Sequence, residues 1–180
     1  MTPMSVTALL GKNLFLLDGG VINDLLMKVH LISSPIDWLV NGGTALGAVI
    51  AVNCWVGIPF NMLLLTSGLT GISTDIYESA SMDGANAFKR FIYITLPLMK
   101  PAMLSVLMLG FIYTFKAFDL MYIMTAGGPF NSTDVLGTYA YSKAFTQYEF
   151  SQGSAIAMVL FACLFLVGIF YLKLLSKEDD

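Results

Sequence analysis

Charged residues are scarce in this sequence of 180 residues. Asp, Glu, Lys and Arg together make up 12% of the chain, against about 25% in an average soluble domain. Hydrophobic residues account for 57%, and the mean hydropathy is +0.76. This composition is typical of a membrane protein. The net charge of −3 is small and gives no indication of nucleic-acid binding.

The chain also lacks the residue patterns that catalysis and ATP binding require. His30 is the only histidine and has no cluster of Cys, Asp or Glu around it, which disfavours a metal site or a nucleophile–base triad. Cys54 and Cys163 lie midway along apolar runs, and we interpret them as packing residues. A glycine pair with the spacing of a phosphate-binding loop is followed by Ala48 where that loop requires lysine. We therefore predict a non-catalytic protein without a metal or cofactor of its own.

Long apolar runs, by contrast, are abundant. Segments 44–67, 102–125 and 153–175 reach the length of about 20 residues that a membrane-spanning helix needs. Segment 3–17 is apolar but short, like the end of a span whose beginning is absent. We therefore predict an all-α fold, a polytopic transmembrane helical bundle, as a single domain over residues 1–180.

The basic residues favour one orientation of these spans. Segment 68–101, which we call the polar insert, lies on the same predicted side as the C-terminal tail. With the boundary residue Lys173, that side holds five Lys or Arg residues, and the two opposite loops hold two. Because basic residues concentrate on the cytoplasmic side, we predict that the polar insert and the C-terminus are cytoplasmic.

Local signals predict two short helices in the polar insert. Asp75 is positioned to cap the first helix, with Glu78 completing a pair that resembles a capping box. Gly84 is a suitable end for that helix, and Asn86 is positioned to cap the second. Pro97 is predicted to end the second helix and begin the next span. Another protein surface has room to approach at the turn, because small residues flank it.

Two signals outside the polar insert also predict local structure. Apolar residues between positions 21 and 32 are spaced as in a short helix lying on the membrane surface, or in a connector that covers the bundle. Pro59 lies inside the second predicted span, two residues after Gly57, and predicts a kink there. Trp55 in the same span is interpreted as a packing residue, with stacking on a sugar as the less favoured alternative.

The polar insert resembles the EAA motif of ABC importer permeases: EAA, three residues, G, nine residues, I, one residue, LP. The chain has, at every spacing, Glu78-Ser79-Ala80, Gly84, Ile94 and Leu96-Pro97. Ser79 is the one departure from the pattern, and it keeps a small side chain. Further stretches that resemble the carbohydrate-importer branch are DGA at 83–85, FKAFDLMYIMTAGGPFNST at 115–133, YAYSKAF at 139–145 and GGVIN at 19–23.

The resemblance implies a permease fold of six spans, of which about four are present and the first two are absent. It implies location in the inner (plasma) membrane of a prokaryote. The implied partners are a cytoplasmic ABC ATPase dimer carrying ATP and magnesium, a second permease subunit and an extracytoplasmic solute-binding protein. The implied cargo is a sugar, a related polyol or glycerol-phosphate. The residues implied to couple the chain to the ATPase are Glu78, Ala80, Asp83, Gly84, Ala85, Leu96 and Pro97.

Polar residues inside the predicted spans are candidates for the translocation path. They are Asn53, Asn61, Tyr113, Lys116 and Asp119. The two asparagines lie near one helical face, and the other three lie nearly on one face of the third span, where the lysine and aspartate can pair. Hydrogen bonding between helices is the alternative role. Two other hypotheses for the whole chain are an importer for amino acids or peptides, and a truncated membrane anchor that does not transport.

Overall fold

The computed structural model describes residues 3–115 and 117–176, with side chains as far as Lys173. Every regular element among these residues is helical, so the all-α prediction is confirmed. The chain divides into two compact units. The first comprises the described residues through Val56 and those from Phe115 to Val167. The second comprises Gly57–Thr114 and the described residues from Gly168 onward. The prediction of a single domain stays a prediction.

The first unit is built around a short N-terminal helix that packs on a helix from later in the chain. Its elements are α1 (Met4–Leu14), α2 (Val21–Lys28), the first half of α3 (Gly42–Thr70), α7 (Asp119–Thr125), α8 (Leu136–Tyr141), a π-helical turn (Ser142–Thr146) and most of α9 (Phe150–Ser176). Helix α1 packs against α7, and Ala8, Val49 and Leu120 are completely buried in the shared core. Gly11 permits close approach of α3, because a Cβ there would lie 2.7 Å from Cγ2 of Val52.

The second unit contains the polar insert and the helices that flank it. Its elements are the second half of α3, α4 (Thr74–Met82), α5 (Ala87–Arg90), a π-helical turn (Phe91–Thr95), α6 (Leu96–Phe115) and the end of α9. A Cβ on Gly68 would lie 2.6 Å from Cβ of Ala102, so α3 and α6 pack closely through small residues. The hydroxyls of Ser105 and Tyr171 lie 3.0 Å apart and link α6 to α9.

Three helices in the described residues are long and apolar enough to cross a membrane: 42–70, 87–115 and 150–173. The predicted span at 102–125 is wrong in its bounds, because that helix ends at Phe115 and the separate helix α7 begins at Asp119. The apolar run continues through the break, so hydropathy alone does not locate it. The break is favoured where Ala117 and Leu120 enter the protein core and Asp119 meets the positive end of the α7 dipole.

The predicted helix end at Pro97 is also wrong, because the helix continues from Ala87 to Phe115. The π-helical turn explains how it continues. Leu96 donates its N–H to the carbonyl of Phe91, five residues back, and the Thr95 hydroxyl donates to the carbonyl of Arg90 at 3.4 Å. This wider turn accommodates the missing donor of the proline. Pro59 also lies inside a continuous helix, α3, and its kink stays a prediction.

Candidate functional site

The polar insert begins at a serine cap. The Ser73 hydroxyl oxygen accepts the N–H of Asp75 at 3.2 Å, so the prediction that Asp75 is the cap is wrong. Ser73 has the extended backbone that a cap requires, with φ −60° and ψ 136°. Asp75 instead lies in the first turn of α4, where its charge is favourable to the helix dipole.

A glycine turn separates the two short helices of the insert. Helix α4 ends at Met82, and Gly84 has a positive φ of +78°. Ala85 donates its N–H to the carbonyl of Ala80 at 2.9 Å, and Gly84 donates to that of Ser81 at 3.1 Å. These two bonds form a Schellman motif. The prediction that the helix stops at Gly84 is therefore confirmed.

The second helix starts as predicted, and a side-chain contact ties it to the first. The side-chain oxygen of Asn86 accepts the N–H of Lys89 at 2.9 Å, which confirms Asn86 as the cap. The hydroxyls of Tyr77 and Thr95 lie 2.9 Å apart and connect α4 to the π-helical turn. Sequence reasoning missed this contact, because the two residues are 18 positions apart. The signal in the sequence was that each of the two residues carries a hydroxyl group able to form a hydrogen bond.

The surface of the insert is open. No residue of α4, α5 or the π-helical turn is buried. Met82 is 90% exposed and Phe88 is 70% exposed, on either side of the glycine turn. Glu78 and Asp83 are also exposed. A short structure with large apolar side chains and carboxylates at its tip is suited to contact another protein.

The predicted coupling residues fall in two places. Glu78, Asp83 and Gly84 are exposed, and Ala80 and Ala85 are half-buried. The structure brings these five together on α4 and its glycine turn. Leu96 and Pro97 are exposed at the start of α6, beyond the π-helical turn.

The predicted path residues do not share one element. Asn53 and Asp119 belong to the first unit, and Asn61 and Tyr113 belong to the second. The expected common face of 113, 116 and 119 is wrong, because α6 ends at Phe115 and Asp119 is the first residue of α7. Lys116 lies outside the described residues. The Tyr113 ring makes an edge contact with Phe60 at 6.1 Å.

Sequence reasoning did not identify the most extensively hydrogen-bonded side chain of the first unit. Asn23 in α2 is 1% exposed. Its Nδ2 donates to the carbonyls of Leu16 at 3.1 Å, Leu17 at 3.4 Å and Ile36 at 2.9 Å. Its Oδ1 accepts the N–H of Ile36 at 3.2 Å and Nε1–H of Trp38 at 2.8 Å. The signal in the sequence was a polar asparagine among the regularly spaced apolar residues of segment 21–32.

Comparison with known proteins shows the family. The model for the binding-protein-dependent transport system inner membrane component matches residues 1–177. The chain belongs to this family. Members of this family are membrane components of transport systems rather than enzymes. The chain is a multi-pass membrane protein. Among the described residues, no three His, Cys, Asp or Glu side chains lie close enough together to hold a metal ion.

Several curated relatives are similar over most of the chain. A probable ABC transporter permease of Brucella suis is 34% identical, covering 91% of this chain and 56% of the relative. The sulfoquinovosyl glycerol transport system permease SmoG of Agrobacterium fabrum is 33% identical, covering 98% and 57%. The trehalose/maltose transport system permease MalF of Thermococcus litoralis is 38% identical, covering 78% and 47%. The chain thus spans about half the length of these relatives.

A solved structure shares the fold. The crystal structure of a bacterial ABC transporter that imports the acidic polysaccharide alginate matches with a TM-score of 0.86. That match covers 100% of this chain and 63% of the other, at 19% sequence identity. The helical bundle is therefore the fold of an ABC permease.

Proposed function

We propose that this chain forms membrane-spanning helices of a permease subunit in an ATP-driven, binding-protein-dependent importer. The observation that carries the proposal is the exposed helix–turn–helix of the polar insert, with its Schellman glycine at Gly84. The proposed cargo is a sugar, a related polyol or glycerol-phosphate. The names of the relatives support this class, since they include transport of sulfoquinovosyl glycerol and of trehalose and maltose.

The insert is proposed to dock on a separate ATPase dimer, where ATP and magnesium bind. Met82 and Phe88 would enter an apolar groove of the ATPase, while Glu78 and Asp83 contact its rim. Movement of the ATPase would then shift the spans between two states through differential contacts. Leu96 and Pro97 would transmit that movement, because α5, the π-helical turn and α6 form one continuous helix from Ala87 to Phe115.

The proposed orientation follows from this docking. The insert and the C-terminus would face the cytoplasm, and the segments 15–41 and 126–149 would face the opposite side of the inner membrane. A solute-binding protein would deliver cargo there. A second permease subunit and lipid would cover the spans, whose apolar windows are at most 17% buried. Asn53, Asn61, Tyr113 and Asp119 stay candidates for the path.

The test is replacement of the glycine in the turn, in the full transporter assembled with its partner subunits. We expect Gly84→Val to lose co-purification with the ATPase and to reduce ATP-dependent uptake about 10-fold or more, since a β-branched residue resists a positive φ. Gly84→Asn is the matched variant, because asparagine tolerates this backbone conformation, and it should retain most of the association. Gly47→Val is the control on α3, where a Cβ meets no atom within 4 Å.

Three results would contradict the proposal. Full ATPase association of Gly84→Val, in a chain that folds normally, would show that the turn is not the contact. Uptake of labelled amino acids or peptides, without uptake of sugars or polyols, would favour the alternative cargo. A chain that associates with no ATPase and supports no uptake with any partner would favour the membrane anchor.

A further inference from the structure

A cavity in the first unit is not used by the function proposed so far. Its volume is about 430 Å³, within the range of about 300–1,000 Å³ that is typical of small-molecule sites. Three walls line this half-open cavity: the end of α1 with the residues after it, the loop 37–40, and α7. The residues that line it include Lys12, Phe15, Asp37, Val40, Tyr122 and Thr125.

The walls of the cavity are fastened to each other. Asn23 donates to the carbonyl of Leu16 on one wall and to that of Ile36 beside the other. The rings of Phe15 and Trp38 meet edge to face, with centroids 5.9 Å apart. The third wall, α7, packs against α1, and its Thr125 hydroxyl lies 2.6 Å from that of Thr133. A site held in this way is preorganised, which lowers the entropic cost of binding a ligand.

The cavity presents a cation and an anion that do not pair with each other. Lys12 is exposed and Asp37 is half-buried. Among the described residues, neither side chain has a hydrogen bond or an ion pair. The ammonium offers three donors and the carboxylate offers acceptors only. Together they complement hydroxyl groups, each of which both donates and accepts.

One aromatic ring of the cavity is held with part of its surface open. Tyr122 stacks on Phe118 at a centroid distance of 5.2 Å and makes an edge contact with Tyr141 at 5.0 Å. It nevertheless stays 40% exposed. A hydrogen bond with Tyr141 raises the pKa of Tyr122. A rigid ring with an open surface is suited to contact the apolar face of a sugar ring.

We infer that this cavity binds one saccharide unit, with Tyr122 against its apolar face, Asp37 accepting from its hydroxyls and Lys12 donating to them. The inference rests on the proposed function, because it places this cavity where cargo arrives from the solute-binding protein. The aliphatic wall at Val40, which is 68% exposed, would border the opening. The cavity would hold the cargo before it enters the spans.

The test is protection of a cysteine from a polar maleimide, in the full transporter in lipid nanodiscs without ATP. The reporter is Val40→Cys at the cavity, in a background of Cys54→Ser and Cys163→Ala. The matched control is Val29→Cys, which is 53% exposed and does not line the cavity. Maltose and trehalose are the probes. With a dissociation constant on the order of 1 mM, ten times that concentration should slow labelling of Val40→Cys about 10-fold.

Added substitutions identify the groups that bind. Tyr122→Leu should abolish protection, while Tyr122→Phe keeps the ring and should keep most of it. Asp37→Asn should raise the disaccharide concentration that gives half-maximal protection about 10-fold or more, since a charged acceptor forms stronger hydrogen bonds than a neutral amide oxygen. This second variant keeps the test decisive if Tyr122→Leu does not fold.

Three results would overturn the inference: equal slowing of both cysteines, no slowing by either disaccharide, or slowing by glutamine and glycine betaine but not by the disaccharides. The last result would show that Lys12 and Asp37 bind a zwitterion rather than a saccharide. The proposed function is tested separately by uptake with the Gly84 variants. Normal uptake without protection would therefore overturn only the saccharide site. Protection in a chain that supports no uptake would overturn only the importer.

Discussion

The two compact units differ in the burial of their polar residues. In the first unit, Asn23, Thr133 and Thr138 are buried, with exposures of 1%, 1% and 3%, and each is hydrogen-bonded within the unit. In the second unit, no residue of the helices α4 and α5 is buried. Their polar groups are used for caps and turns, and apolar side chains lie exposed beside them.

This difference indicates which part of the molecule depends on a partner. A buried polar group that is fully hydrogen-bonded fixes its own surroundings, so the hydrogen bonds of Asn23, Thr133 and Thr138 need no other chain. The polar insert is locally well capped but gains little from burial. Its apolar tip is therefore available to a second protein, and changes there should affect association more than folding.

The largest expected effect on folding is at Asn23. Asn23→Leu would remove five hydrogen bonds and take away the partner of the carbonyls of residues 16, 17 and 36, of the N–H of Ile36 and of Nε1–H of Trp38. Since each unsatisfied group costs about 1–3 kcal/mol, we expect a loss of roughly 3–5 kcal/mol. Thermal unfolding in detergent, followed by tryptophan fluorescence, measures it.

The control for this prediction is Asn13→Leu at an exposed position of α1, expected to change stability by less than about 0.5 kcal/mol. Equal stability of the two variants would show that the hydrogen bonds of Asn23 do not stabilise the first unit. It would also show that they do not hold the walls of the cavity together.

The next largest effect on folding is expected at Thr133. Its hydroxyl donates to the carbonyl of Gly128 at 2.8 Å and lies 2.6 Å from that of Thr125. Thr133→Val keeps the shape and removes the bonds, so we expect a loss of about 1–3 kcal/mol in the free energy of unfolding. Thr146→Val, which is exposed, should have little effect in the same assay. Similar losses at both positions would show that the hydrogen bonds of the Thr133 hydroxyl do not stabilise the fold.

The same contrast decides what could be predicted from sequence. The caps and the glycine turn of the insert use contacts within five residues, so residue type and spacing indicated Gly84 and Asn86 correctly. The cap at Ser73 was missed because Asp75 is an equally good residue type. The asparagine network was not predictable, because it joins residues up to 15 positions apart.

Apolar composition predicted the membrane-spanning helices only in part. Hydropathy found the all-α membrane fold, since length and composition suffice for that. It did not find the helix break before Asp119, because buried core and lipid-facing surface have the same apolar composition. The candidates Tyr113 and Asp119 were therefore placed on one helix that the structure divides.

A smaller effect is expected at the glycine turn. Gly84 has φ +78°, so Gly84→Ala should lower stability by about 1–2 kcal/mol, the cost of a left-handed conformation for a residue with a Cβ. Gly47→Ala within α3 should instead raise stability by about 0.5–1 kcal/mol. Thermal unfolding of both variants measures the difference. Changes of the same sign would contradict the assignment of a conformational role to Gly84.

The smallest effect on folding is expected at the tip of the insert. Met82→Ser changes a side chain that is already 90% exposed, so the free energy of unfolding should shift by less than about 0.5 kcal/mol. Association with the ATPase should nevertheless fall about 10-fold, because burying such a side chain in a partner contributes about 1.5–3 kcal/mol. Leu31→Ser, at another exposed position of 72% outside the insert, is the matched control. If Met82→Ser destabilised the chain and left association unchanged, the tip would belong to the fold rather than to the partner, and the contrast between the two units would fail.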